Sequence, residues 1–289
     1  MNTIPYFPGC SLKDTAASFE SSAQFVMEKL GLQLQELERW NCCGTVSSLT
    51  TDDLMHHLAS VRNLVRVQDL EQTELVALCS MCYNTLSRTA QRINADAEER
   101  DKINQFMDRE SDYQGAVVVR HLLQVLRDRI GWQALEQATP HSLEGLNVAC
   151  YYGCTLLRPK EAAIDNVEKP TIMSEAMAAA GAMPVHFPFA GECCGTYQVV
   201  DRRDLSIERS FRVIQSAARE GANVIATACP LCQHNLKEAQ RELAGASELA
   251  DIEIVYFTEL LAAAMGMDSQ KLPEGLSARM QQVAEAQTG

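Results

Sequence analysis

The chain has 289 residues, 46% of them hydrophobic, and 25 Lys and Arg against 38 Asp and Glu give a formal net charge of −13. That length holds one large domain or two of about 100–150 residues, with enough apolar content for a core without disulfide staples. So acidic a chain is excluded as a natural binder of nucleic acid or of an anionic membrane surface, and suits free solubility or docking to a more basic protein.

The elements follow in order. Met1 to Pro8 shows no basic start followed by a long apolar run, so no signal peptide is expected. Thr3–Phe7 instead predicts a strand and 15–30 a helix, with a second strand over Leu32–Glu36. Thr50–Leu70 predicts a helix from Leu54, Leu58, Val61 and Val65 at three- and four-residue spacing, with Thr51, Asp52 or Asp53 as its cap. Leu75–Leu78 is a strand, and Ala116–Val119 leads into a helix near His121. Residues 138–146 are polar, contain Pro140 and predict a linker. Beyond it the order recurs: strands Asn147–Tyr151, Met183–Phe187, Asn223–Ala228 and Ile252–Tyr256, and helices Glu161–Ala180 and Asp204–Glu220. Leu260–Met267 is apolar but far short of the roughly 18 residues a membrane span needs. No transmembrane segment is expected, and the chain is placed in the cytoplasm, where thiols stay reduced.

Strands alternating with helices imply βαβ units and parallel sheet. The expectation is an α/β fold of two pseudo-symmetric, Rossmann-like halves, 1–143 and 144–289. The eleven cysteines carry the same message. Cys10, Cys42-Cys43-Gly44 and Cys79-x-x-Cys82 form one set, and Cys154, Cys193-Cys194-Gly195 and Cys229-x-x-Cys232 the other. The offsets between matching residues are 144, 151 and 150, and Gly9 with Gly153 and Thr45 with Thr196 match as well. Cys150 is left over and reads as a small buried hydrophobe.

Each cysteine group follows a strand and precedes a helix. In an open parallel sheet those positions share the carboxyl edge, where ligands bind, and helix N-termini there favour thiolate. Five thiols gathered twice imply a soft metal or an iron-sulfur cluster in each half. Zinc is the structural alternative, but a tetrahedral ion uses four ligands, and adjacent cysteines rarely serve one ion together.

These motifs (Pro8-Gly9-Cys10, Asn41-Cys42-Cys43-Gly44, Tyr151-Tyr152-Gly153-Cys154 and Glu192-Cys193-Cys194-Gly195) resemble the B subunit of heterodisulfide reductase, a family with two cysteine-rich CCG motifs. The resemblance spans nearly the whole chain. It implies two non-cubane [4Fe-4S] clusters. One would be held by Cys10, Cys42, Cys43, Cys79 and Cys82, the other by Cys154, Cys193, Cys194, Cys229 and Cys232. In some relatives one motif holds zinc. The resemblance further implies cleavage of a small disulfide between the clusters by one-electron steps, or oxidation of thiols or persulfides in reverse. It also implies two partners, a ferredoxin-like C subunit and a flavin-containing A subunit, since this chain has no ferredoxin-type run of its own. The alternative is an electron-transfer or zinc-stabilised component of a quinone-linked dehydrogenase.

Outside the cysteines, His186, Lys13 and Arg158 are candidates to face the substrate or an anionic group on it. Thr45 and Thr196, directly after each C-C-G, are set to hydrogen-bond the sulfide of a cluster or to cap the next helix. Asn84 and His234, two residues after the C-x-x-C pairs, could protonate a departing thiolate but are expected on solvated surface, and His56-His57 at the surface or the edge of the core.

Overall fold

The computed structural model describes residues 2–45, 53–245 and 248–288. The first half runs β1 (Asn2–Phe7), α1 (Gly9–Leu12), α2 (Ala17–Lys29), β2 (Leu32–Glu36), α3 (Leu58–Asp69), β3 (Glu74–Ala77), α4 (Ser80–Ala95), α5 (Ala97–Phe106), β4 (Val118–His121), α6 (Leu122–Val125) and α7 (Trp132–Gln137). The second runs β5 (Asn147–Tyr151), α8 (Ile172–Ala179), β6 (Met183–Val185), α9 (Arg203–Arg219), β7 (Val224–Thr227), α10 (Pro230–Leu243), β8 (Glu253–Tyr256), α11 (Phe257–Ala264) and α12 (Glu274–Thr288).

Both sheets are four-stranded and parallel, and they share one order: β2-β1-β3-β4 and β6-β5-β7-β8. The expected pseudo-symmetric α/β halves are therefore present. Central strands β3 and β7 are nearly continuous apolar runs, Leu75-Val76-Ala77 and Val224-Ile225-Ala226, because helices cover both faces. In this order the chain leaves β1 in one direction for β2 and returns past it to β3. The crevice beyond the carboxyl ends of β1 and β3, and of β5 and β7, is the switch point of each sheet.

The two halves share one continuous hydrophobic cluster. Helix α11 is buried along its whole length and packs on α2 of the other half. Phe19 stacks on Tyr256 with ring centroids 4.3 Å apart, and Ser22 Oγ lies 2.7 Å from Thr258 Oγ1. The expected linker is also bound down. Leu143 and Leu146 are buried, His141 N–H donates to the Ala264 carbonyl and Leu143 N–H to that of Ala180.

Three expectations need correction. The helix placed over Glu161–Ala180 shrinks to Ile172–Ala179, preceded by a single turn at Lys160–Ala162. Asp165 accepts from the backbone of Thr171 and Ile172, Asn166 from that of Glu168 and Lys169, and Pro170 follows. These side chains hold a loop in place of the helical ladder. The Thr50–Leu70 helix is α3 with a 3-10 turn at Met55–His57 before it. Thr51 and Asp52 lie outside the described residues, and Asp53 pairs with Arg92 at 2.8 Å rather than capping the helix. Asn84 is buried, not solvated: its amide donates to the carbonyls of Thr155 and Arg158, both at 2.8 Å, across the junction of the halves.

Candidate metal centre at the junction of the two halves

Cys10 follows β1 in the short helix α1, and Cys79 sits at the N-cap of α4, with Cys82 in its first turn. Cys154 follows β5, and Cys229 caps α10 with Cys232 inside it. Both C-x-x-C pairs thus stand at helix N-termini beside a switch point, where free N–H groups favour negative charge.

The glycines of the motifs have steric reasons. Gly9 and Gly153 have φ of +71° and +64°, and a Cβ on them would lie 3.1 Å from Cys82 Sγ and 3.4 Å from Cys232 Sγ. Each glycine leaves clear the space that its own C-x-x-C sulfur faces. Gly44 and Gly195 adopt φ of +85° and +86°. A Cβ at Gly195 would stand 2.7 Å from the Cα of Ser206, and one at Gly44 3.3 Å from Ala59 Cβ, so each turn presses on the following helix. The carbonyl of the second cysteine in each C-C-G is pinned the same way in both halves. Ser60 Oγ donates to Cys43 O at 2.6 Å and Ser210 Oγ to Cys194 O at 2.9 Å. These serines lie 150 residues apart, the offset of the C-x-x-C pairs. The repeat contains this signal, but outside its cysteines.

Cys43, Cys79, Cys82, Cys194, Cys229 and Cys232 are buried, Cys154 and Cys193 half-buried, and Cys10 and Cys42 exposed. Cys194 and Cys232 sulfurs lie 3.6 Å apart. Hydrogen bonds from neighbouring thiols hold Cys43 down at about 3, with Cys42 and Cys82 as donors, and Cys193 at about 2, with Cys154 and Cys194 as donors. Cys42, Cys82, Cys154 and Cys232 are pushed up first by hydrogen bonds to neighbouring cysteine sulfurs, then by burial. Cys79 is driven down first by a hydrogen bond from Cys229 of the other half. At Cys229 the Cys232 thiol pulls downward, but Cys79 and burial prevail and raise it. The two sets therefore touch. The backbone ties them at the same point: Ser80 donates to the Ala228 carbonyl through both its N–H, at 3.1 Å, and its Oγ, at 2.9 Å. Among the described residues no three His, Cys, Asp or Glu side chains close on a single ion position. The donors form two thiol arrays in contact.

A cavity of about 790 Å³ lies at the junction of the halves, lined in part by Thr45, Met81, Arg88, Thr155 and Tyr197 and by none of the cysteines. Thr45 directly follows one C-C-G and Tyr197 lies two residues beyond the other, so the cavity opens between the motifs. His57 borders it too, its pKa lowered by burial and by Arg92. Arg92 is committed to Glu99 and Asp53, whereas Arg88 is exposed and forms no ion pair among the described residues. Tyr197 is raised by burial and then by negative charge at Cys154 and Cys193.

The other candidates are scattered. Lys13 is clamped by Glu20 at 2.6 Å and Glu36 at 2.5 Å. Arg158 donates to the Gly191 carbonyl at 2.8 Å. His186 is exposed past the end of β6 and, like His234, does not line the cavity. Thr196 Oγ1 lies 3.0 Å from Cys194 Sγ, and the 3-10 turn it opens is preceded by Gly195. Cys150 is buried on β5 and raised to about 12 by burial. Arg88, Tyr197, Ser60 and Ser210 carry no motif that would single them out in the sequence.

A family model described as "Cysteine-rich domain", CCG, matches residues 4–87 and 148–237. The chain is 30% identical over 272 residues to the 8-methylmenaquinol:fumarate reductase membrane anchor subunit of Wolinella succinogenes, covering 92% of this chain and 93% of that one. It is 25% identical to a protein of Archaeoglobus profundus named as like the B subunit of heterodisulfide reductase, over 92% and 91% of the two chains. It is also 25% identical to the B subunit of the ferredoxin:CoB-CoM heterodisulfide reductase of Methanosarcina mazei, over 94% and 92%. Among solved structures, a hypothetical protein from Helicobacter pylori shares the fold at TM-score 0.73 and 12% identity. That likeness covers 93% of this chain and half of the other. No helix among the described residues is long and apolar enough to cross a membrane. With both of its thiol arrays lying within the matched segments, the chain belongs to the cysteine-rich CCG-domain family, among relatives named for the B subunit of heterodisulfide reductase.

Proposed function

We propose that this chain is the cluster-bearing component of a heterodisulfide reductase-like complex, reducing a small disulfide or, in reverse, oxidising thiols or persulfides. The observation that carries the reading is the meeting of two five-thiol sets at Cys79 and Cys229, where Ser80 bonds the Ala228 carbonyl, with a cavity of about 790 Å³ at the same junction that takes Thr45 and Tyr197 from just beyond the two C-C-G turns. Cys10, Cys42, Cys43, Cys79 and Cys82 would hold one non-cubane [4Fe-4S] cluster. Cys154, Cys193, Cys194, Cys229 and Cys232 would hold the other. The donor chemistry fits: every donor is a soft thiol, and Gly9 and Gly153 keep side-chain bulk away from Cys82 and Cys232. When bound, such clusters supply one-electron chemistry.

Reduction of a disulfide takes two electrons and two protons and releases two thiols, so two adjacent one-electron sites match it. The chain's own part is to hold the substrate between the halves. Arg88 suits an anionic group on the substrate, a role for which Lys13 is less free, being held by two carboxylates. Electrons would come from a ferredoxin-like partner fed by a flavoprotein. A second reading has its own support in the relative named 8-methylmenaquinol:fumarate reductase membrane anchor subunit. There the chain would relay electrons within a quinone-linked dehydrogenase, with zinc in one set.

Iron, acid-labile sulfide and zinc per chain, measured in protein purified without oxygen, separate the two. We expect about eight iron and eight sulfide and no zinc, two four-iron clusters' worth. About four iron with one zinc would favour the relay, and zinc alone would sink both redox readings.

A further inference from the structure

Both thiol sets receive backbone donors from their own C-C-G turns, and they differ in side-chain donors. In the first half Gly44 N–H reaches Cys42 and Thr45 N–H reaches Cys43; in the second Gly195 N–H, at 3.3 Å, and Thr196 N–H both reach Cys193. The second half adds two polar side chains at Cys194. Asn235 Nδ2 lies 3.4 Å from its sulfur and 3.1 Å from Thr196 Oγ1, and Thr196 Oγ1 lies 3.0 Å from the same sulfur. A metal-bound thiolate has no proton to give, so the hydroxyl donates to sulfur and the amide donates to both. Asn235 is 4% exposed and Cys194 2%, so water does not compete for these bonds.

The first half is built otherwise. The residue matching Asn235 at the offset of 150 is Thr85, and its hydroxyl donates to the Met81 carbonyl at 2.9 Å. Cys43, which matches Cys194, is equally buried at 3%. Ser11 lies 3.9 Å from Cys10, at an exposed position. At equal burial, Cys43 has a backbone donor from Thr45, whereas Cys194 has two side-chain donors, Asn235 and Thr196.

Hydrogen bonds to ligand sulfur stabilise the charge added on reduction and raise the potential of an iron-sulfur centre. Resting on the two-cluster reading above, we infer that Asn235 and Thr196 are a tuning pair that raises the reduction potential of the second-half site and makes the two sites unequal. A one-electron donor docking at the exposed Cys10 and Cys42 face would then load the first site, and the electron would rest at the second. Both residues act through Cys194 and are positioning residues.

The test is an anaerobic dithionite titration of the full chain with redox mediators, followed by electron paramagnetic resonance. Asn235→Leu and Thr196→Val should each move one of two one-electron transitions to lower potential and leave the other in place. We expect the reduced-to-oxidised ratio of that site, at fixed potential, to fall about tenfold, which is about 59 mV for one electron. Thr196→Ser should restore it. If Asn235→Leu fails to keep its iron, Thr196→Val decides. Two clusters whose transitions both stay put, or both move alike, would overturn this inference and leave the proposed function standing. Zinc in the second set would overturn both.

Discussion

Glu20 is pulled in opposite directions by its neighbours. Lys13 donates to it at 2.6 Å and the Tyr6 hydroxyl donates as well, while burial and then Glu36 raise its pKa to about 7. The folded state thus favours the neutral acid more than the unfolded chain does. Its contribution is fully present below the ordinary carboxylate range and is lost as pH rises towards about 7. Thermal denaturation of Glu20→Gln and the parent should show a stability deficit near about pH 5 that narrows or reverses near about pH 8; a constant difference would contradict the shift. At this scale the cysteines were fully legible, because a repeated order of a rare residue needs no tertiary knowledge. Arg88, Tyr197 and Asn235 were not, since a lone arginine, tyrosine or asparagine on a helix or turn carries no pattern of its own. Lys13 looked available because its two carboxylate partners are 7 and 23 residues away in sequence.

The C-C-G turn is the element on which local geometry bears most. Gly44 and Gly195 share left-handed backbone, which costs an alanine roughly 1–2 kcal/mol by itself. They differ in what a Cβ would strike: a side-chain methyl at 3.3 Å in the first half, the Cα of Ser206 in α9 at 2.7 Å in the second. Helix backbone cannot turn aside as a side chain can. Gly195→Ala should therefore cost more than Gly44→Ala, both in denaturation midpoint and in iron retained from the affected half. Equal losses would mean that φ alone governs the turn. The strands around these turns were predictable from apolar runs and flanking breakers, and the parallel order from the alternation. The loop before α8 was not. Its apolar and helix-forming residues look helical one by one, but Asp165, Asn166 and Pro170 close a turn among them. Side-chain capture of backbone is invisible to periodicity.

In the whole molecule the halves behave as one body. Phe19 stacks on Tyr256, α11 covers α2, and Tyr83 Oη donates to the Ala162 carbonyl across the joint. Two repeats suggested two separable units, and the sequence held no sign that their cores merge. Residues 1–143 expressed alone would expose the face that α11 covers. We expect that fragment to aggregate or to melt without a cooperative transition by circular dichroism; a sharp transition would show the halves to be independent.

The joint at Ala228 is made only once. Ser80 opens α4 and supplies an N–H to the facing carbonyl, but the residue that opens α10 is Pro230, which has none. The carbonyl that a symmetric bond would reach, that of Leu78, is met instead by the His121 imidazole of its own half, at 2.8 Å. The internal two-fold is thus broken by one imino acid, and the latch has a donor side and an acceptor side. A chain built from two first halves could latch twice; one built from two second halves would carry proline at both positions and could not latch at all.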